Sequence, residues 1–296
     1  MMNFALLFRN YGILLVTILL FVILAVSADG FATERNLRNI LDQQSMVIIA
    51  ASFMTIAIIS GNFDVSVSAV FVTAPLFGLR VENMTGNVFL AVAAALAVGL
   101  LMGAINGFIV TRLKINSFIG TLATSFMFFG AGFLVSSRSL MRPESDVYRL
   151  IARSRFLGLT SATWIAIAVV IIATILLSRT RFGRNVFAVG GNMEAARLAG
   201  VAVNRVQTTA FLLLGVAAAL AGVLNSSRSI SAQPSDDFSF VFAVLTAVIV
   251  GGTSIAGGQG AIWRTTTAAF FLAFLNNGFN LLQIDPIWQR LIEGAV

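Results

Sequence analysis

The stretch NMTGNVFLAVAAALAVGLLMGAINGFIVT, residues 83–111, decides the class of this chain. It carries no charged side chain, and it exceeds the roughly 20 apolar residues that a helix needs to cross a bilayer. Outward from it, charge-free windows recur at 10–28, 43–63, 65–79, 115–137, 156–178, 206–227, 238–263 and 265–284. The 296 residues are 58% hydrophobic and only 10% charged, with a mean hydropathy of +0.94 and 26 phenylalanines. A soluble domain carries about a quarter charged residues, so lipid is the main solvent here. The windows lack the alternation of barrel strands, and a backbone in hydrocarbon must satisfy its own hydrogen bonds, which leaves helices as the spanning form. The expected fold class is all-α: a polytopic helical membrane protein of about ten transmembrane helices, in one domain over residues 1–296. Interrupted helices are expected near 60–68 and 250–260. Ile287 to Val296 begin an apolar run, read as a truncated tenth span. The first window starts at Tyr11 behind Arg9 and ends in VSADG, with no small-residue cleavage site, so it reads as a retained span.

Charge and residue types exclude much chemistry. The net charge is +7, but 18 of the 19 basic residues are arginines scattered between windows, a pattern of membrane topology and not of nucleic-acid binding. With no cysteine and no histidine there is no disulfide, thiolate, imidazole catalyst or His/Cys metal site. With the N-terminus in the cytoplasm, the turn TRLKIN (111–116) and the segment 179–205 also fall inside. They hold Arg112, Lys114, Arg179, Arg181, Arg184, Arg197 and Arg205 against the single acid Glu194, as the positive-inside bias requires. The loop 138–155 runs against that bias. It falls outside yet holds Arg138, Arg142, Arg149, Arg153 and Arg155 against Glu144 and Asp146.

Four groups of residues stand out within this frame. Asp64, in SGNFDVSVS (60–68), is the only charge in the 37 residues from Gln43 to Leu79. It can bind solute, couple an ion, or cap the helix after the break, and the D-x-S spacing favours capping through the N–H of Ser66 or Val67. VGGTSIAGGQG (250–260) has five glycines in eleven residues, which ends a helix and permits close packing. It cannot be a phosphate-binding P-loop, because that motif needs a lysine and the only one is Lys114. Asn106, Thr121, Thr124, Ser125, Asn276, Asn277 and Asn280 lie within windows, and the last three fit one polar stripe on a helix. Such neutral groups suit either a hydroxyl-rich solute or hydrogen bonds between helices. GGNMEAARLAG (190–200) reads as a short polar-faced helix: Asn192 as N-cap, Glu194 in the first turn, Arg197 three residues on, Gly200 just past the end. It is either a docking element or a simple connector.

The order TRFGRNVFAVGGNMEAARLAGVAVNRV, SAQP at 231–234, VIVGGTSIAGGQGAIW and FLNNGFNLL resembles the permease subunits of bacterial ABC importers for monosaccharides, of the ribose type. The resemblance runs from about Asp42 to the end and implies a multi-pass permease of the bacterial inner membrane. It implies a second permease protomer, a homo- or heterodimer partner around the pore, and an ABC ATPase that holds ATP and Mg on the cytoplasmic face. It also implies a periplasmic substrate-binding protein, docked on loop 138–155 or on SAQPSDD, and a small neutral solute. The chain itself binds no cofactor or metal, catalyses nothing and has no nucleic-acid partner in this reading. Gly191, Asn192, Glu194, Ala195, Arg197, Leu198 and Gly200, within segment 179–205, then form the ATPase-coupling helix. The translocation path is assigned to Asn62, Asp64, Ser66, Asn106, Thr121, Asn276, Asn277 and Asn280. Two glycines of the family pattern stand here as Asn62 and Ser68, which points Asn62 toward the solute, and Gln259 replaces a usual basic residue. Related alternatives are a permease for branched-chain amino acids or nucleosides, or an ion-coupled secondary transporter using Asp64.

Overall fold

The computed structural model describes residues 4–295, so the first three residues, at the terminus assigned to the cytoplasm, and Val296, the end of the expected tenth span, lie outside the described residues. The chain is helical almost throughout. The helices are α1 (Phe4–Ser27), α2 (Glu34–Ile59), α3 (Val67–Thr85), α4 (Val88–Thr111), α5 (Ser117–Val135) and the single turn α6 (Leu150–Arg153). They continue with α7 (Ser161–Arg179), α8 (Arg181–Gly191), α9 (Met193–Leu198), α10 (Val203–Ser229), α11 (Ser239–Val250), α12 (Ile262–Leu281) and α13 (Pro286–Ala295). A two-residue hairpin, β1 (Arg155–Phe156) with β2 (Leu159–Thr160), is the one sheet among the described residues. Helix starts follow local chemistry: Asn87, Asn116 and Thr160 accept backbone N–H groups at the first turns of α4, α5 and α7.

Five helices, α2, α4, α5, α7 and α10, are long and apolar enough to cross a membrane by length and composition, which makes the chain a multi-pass membrane protein. The two expected interruptions are present, between α2 and α3 and between α11 and α12. The window 238–263 is not one span. Its helix α11 stops after 12 residues, about 18 Å at the usual rise, and residues 251–261 are non-helical. α11 also starts part-way along the bundle, since Phe238 packs edge-on against Phe126 and Phe129 within α5, and Phe240 stacks on Phe71 of α3 at 3.8 Å.

α10 forms the centre, and small residues let its neighbours reach its backbone. Gly99 and Gly103 of α4 lie so close to α10 that an added Cβ would sit 2.5 Å from the Gly215 carbonyl oxygen and 2.4 Å from that of Phe211. Gly222 meets α3 in the same way, 2.2 Å from the Phe71 carbonyl oxygen.

The two ends of the bundle differ. At one end the arginine-rich loop is tied down by buried polar groups. Glu82, fully buried, accepts the backbone N–H groups of Glu144 and Ser145 at 2.9 and 2.8 Å. Ser227 accepts the Ala152 N–H and donates to the Tyr148 carbonyl, while the Tyr148 hydroxyl shares a 2.7 Å hydrogen bond with Ser226. Arg228 pairs with Asp42, which also accepts from Thr160. At the opposite end lie the C-terminus of α2, helices α8 and α9, the 251–261 segment, and Lys114 donating to Asn204.

Burial pushes the Tyr148 hydroxyl up to about 12. The folded state thus holds the neutral phenol, and its contribution to stability is intact below the ordinary phenol value of about 10 and lost as pH rises toward 12. In a Tyr11→Phe variant Tyr148 is the single remaining tyrosine. Its ultraviolet absorbance change is expected at about pH 12; ionisation near pH 10, the free-phenol value, would contradict this burial.

Candidate functional site

The first break is built from hydrogen bonds that replace the helical ones lost between Ile59 and Val67. Asn62 N–H folds back on the Ala57 carbonyl at 3.0 Å, and Gly61 takes φ +85°, a conformation that favours glycine. Beyond it, Ser117 accepts the Phe63 N–H and Thr121 accepts the Val65 N–H, at 3.0 and 2.9 Å, so α5 supplies the acceptors. Asp64 Oδ1 accepts both the backbone N–H and the hydroxyl of Ser66, at 2.8 and 2.6 Å. Ser66 is itself the N-cap of α3, which has no side-chain cap, so Asp64 fixes the turn before the helix and does not cap it as the D-x-S spacing suggested. The Asn106 amide then donates to Ser66 Oγ at 2.6 Å and reaches both Asp64 oxygens at 3.4 Å. Thr124 closes the network by donating to Asn106 Oδ1 at 2.6 Å.

Thus Asp64, Ser66, Asn106 and Thr121 come together, all buried. They sit within about 10 Å of the α4–α5 turn, counting 1.5 Å per residue, and so lie nearer the α9 end than the middle. Asn62 is buried and donates to Ser60 Oγ at 3.1 Å. Ser68 accepts the Val241 N–H at 2.8 Å and ties the start of α3 to α11. The expected asparagine stripe on α12 divides among three surroundings. Asn277 makes a reciprocal amide pair with Asn36 of α2, at 2.8 and 3.0 Å. Asn276 opens onto a cavity between α2, α11 and α12, and Asn280 is exposed beside Gln289.

The stretch 190–200 forms the helix that its sequence implies. Asn192 Oδ1 accepts the Ala195 N–H at 2.9 Å, Glu194 pairs with Arg197 at 3.0 Å, and Gly200 takes φ +82° just past the end. Ala196 is its one buried residue; Gly191, Asn192, Glu194, Ala195 and Arg197 are exposed, and Leu198 is 89% exposed. An 89% exposed leucine at the tip of a capped helix is an unpartnered apolar point.

What holds this helix is a contact of main chains. The carbonyl of Ile59, the last residue of α2, accepts the Gly258 N–H at 2.9 Å. Gly190 lies against both: a Cβ there would sit 1.6 Å from the Ile59 oxygen and 2.6 Å from Gly258 N. A Cβ on Gly258 would be 2.8 Å from Gly191 Cα. The end of α2, the glycine segment after α11 and the entry to α9 therefore meet backbone to backbone. Gln207 of α10 adds its amide to the Ser60 carbonyl at 3.3 Å. The glycine run 250–260 was readable in the sequence as a site of close packing, but nothing there said that it meets the doublet 190–191.

The family described as "Branched-chain amino acid transport system / permease component" matches residues 36–296. The chain is 36% identical to the L-arabinose transport system permease protein of Escherichia coli over 294 residues, 99% of this chain and 90% of that protein. It is 34% identical to the ribose import permease protein of Escherichia coli, covering 96% of this chain and 89% of that protein. With the ribose import permease protein of Bacillus subtilis the identity is 32%, covering 97% and 90%. No solved structure matches the chain. The chain belongs to this family of membrane permease components, and its resemblance within it is to the monosaccharide permeases.

The junction gives a paired test. Gly190→Ala forces a methyl into the Ile59 carbonyl, whereas a Cβ at Gly191 meets nothing within 4 Å. Overpacking of this kind costs about 1–3 kcal/mol. The thermal midpoint of the purified permease is expected to fall by several degrees in Gly190→Ala and to stay put in Gly191→Ala; equal midpoints would contradict the junction.

Proposed function

We propose that the chain is the transmembrane subunit of an ATP-driven importer that moves a monosaccharide or similar small polyol across a bacterial inner membrane. The arabinose and ribose named for its relatives support a sugar as cargo. In this reading a periplasmic binding protein delivers the solute, and a second permease protomer completes the path. ATP and Mg belong to a separate ABC ATPase on the cytoplasmic side, where α9 docks. The N-terminus is cytoplasmic, α1 to α5, α7, α10, α11 and α12 supply nine crossings, and α13 begins a tenth.

The observation that carries the reading is the pairing of exposure and anchorage at α9. Its outer surface, with Leu198 and the Glu194–Arg197 pair, is open to a partner, while its root is locked through Gly190 to both broken helices. A push on α9 is thereby delivered to the end of α2 and to the segment joining α11 to α12. Alternating access follows if ATP binding favours one arrangement of these elements over another, since a ligand shifts an equilibrium only through differential affinity. An ion-coupled carrier using Asp64 is less well supported, because both Asp64 oxygens are already engaged by Ser66 and Asn106.

Replacing Glu194 and Arg197 together by alanine tests the docking role. An exposed pair is worth about 0–1 kcal/mol, so stability should hardly change. In the assembled complex, solute-stimulated ATP hydrolysis is expected to fall by about tenfold, a coupling loss of the usual 1–3 kcal/mol size. Unchanged stimulation would contradict the assignment.

A further inference from the structure

Between α2, α11 and α12 lies a cavity of about 310 Å³ whose walls carry Gln44, Asn276, Ser239 and Thr246 among apolar side chains that include Phe242 and Leu272. Its volume is at the lower limit of ordinary ligand sites, about 300–1,000 Å³. It reaches into the bundle beside the part-way start of α11, and Asn276 borders the Asn36–Asn277 pair that marks its shallow end.

The amides here are not serving helix packing. Asn36 and Asn277, next door, satisfy each other with two reciprocal hydrogen bonds, whereas Gln44 Oε1 is buried without a hydrogen-bond partner among the described residues. Asn276, on the opposite wall, is exposed and stands at the open side of the cavity. A polar group buried without a partner costs roughly 2–7 kcal/mol, so the Gln44 oxygen favours an occupant that brings a donor over a lipid chain. The Thr246 hydroxyl donates to the Phe242 carbonyl at 2.8 Å, which leaves its oxygen free to accept.

The lining also selects the occupant's charge. Among the described residues no acidic or basic side chain lines the cavity, and one carboxylate, Asp237, reaches its wall only through the Ser239 hydroxyl, whose hydrogen bond it accepts. A zwitterionic amino acid would lose water to walls that offer no basic group for its carboxylate, whereas hydroxyl groups donate to and accept from amides and hydroxyls at no charge penalty. The Phe242 ring, 63% exposed, offers an apolar face to the C–H side of a sugar ring. We infer that Gln44, Asn276, Thr246 and Phe242 form a solute-binding site in the translocation path. The site takes one neutral, hydroxyl-rich ring, with Asn276 and Thr246 meeting solute hydroxyls directly and the Gln44 amide turning its covered oxygen toward one. This inference rests on the importer reading above and names the residues that would meet the cargo.

The test uses the permease assembled with its ATPase and binding protein in proteoliposomes, and measures uptake of radiolabelled L-arabinose, D-ribose and leucine. Gln44→Leu and Asn276→Leu are each expected to lower uptake of the transported sugar about tenfold, the effect of leaving a polar group on one side unpaired. Co-purification of the ATPase with each variant in its normal proportion reports an intact assembled complex. Gln44→Glu, which keeps the acceptor, should retain more uptake than Gln44→Leu, and the arabinose-to-ribose ratio should shift in Phe242→Ala. If Gln44→Leu fails to assemble, Asn276→Leu on the open wall carries the same test. A wild type that takes up a sugar, alongside leucine variants matching it in rate and preference, overturns the site while the importer reading stands. A wild type that takes up leucine and neither sugar overturns the sugar reading and the site with it.

Discussion

The carbonyl oxygen of Ile59 is the point on which the rest of the architecture depends. A helix that ends inside a membrane protein must find donors for its last carbonyls, and water is not freely available to supply them. Here one of those carbonyls is satisfied by the N–H of Gly258, which lies in the other interrupted segment, 199 positions further along the chain. Gly190 makes the approach possible by having no side chain. The same three backbones carry α9 out from the bundle. Removing a Cβ at one position thus links two helix breaks and one exposed helix into a single contact, which no surface salt bridge could do with comparable stiffness.

The Asp64 network is a second fastener and works by a different principle. A carboxylate, two hydroxyls and an amide are buried together, and each is placed so that a donor meets an acceptor. Thr121 and Ser117 contribute their oxygens to the N–H groups of the break, so α5 substitutes for the missing helical turn. The break is consequently rigid in hydrogen bonding though irregular in shape.

Much of this was legible in the residues because it is local. The caps of α9 are set by Asn192, Glu194 and Gly200 within nine positions, and the two breaks announce themselves by loss of apolar pattern or excess of glycine. The long-range partners were not legible. Asn276, Asn277 and Asn280 share a helix and a residue type, yet one pairs with Asn36, one faces a cavity and one is exposed, because neighbouring helices and not α12 decide what each meets. Gln44 gave no signal, being an ordinary amide at the edge of a charge-free window. The arginine-rich loop that disagrees with the charge bias proves to be anchored by Glu82, Ser227 and Tyr148, so its shape is specified even where its charges are not neutralised. The apolar run 238–263 was long enough for one span, and glycine chemistry, not hydropathy, divided it.

The central claim is that α9 and the 251–261 segment move as one body when the ATPase works. The chain has no cysteine, so single labels can be placed at will. Spin labels at Ala199→Cys and Ile255→Cys, both exposed positions, allow their separation to be measured by pulsed electron resonance in the assembled complex without nucleotide and with ATP bound. The account predicts an unchanged distance for this pair, together with a changed distance between Ala199→Cys and Phe156→Cys at the opposite end of the bundle. A changed Ala199–Ile255 distance on ATP binding would contradict it.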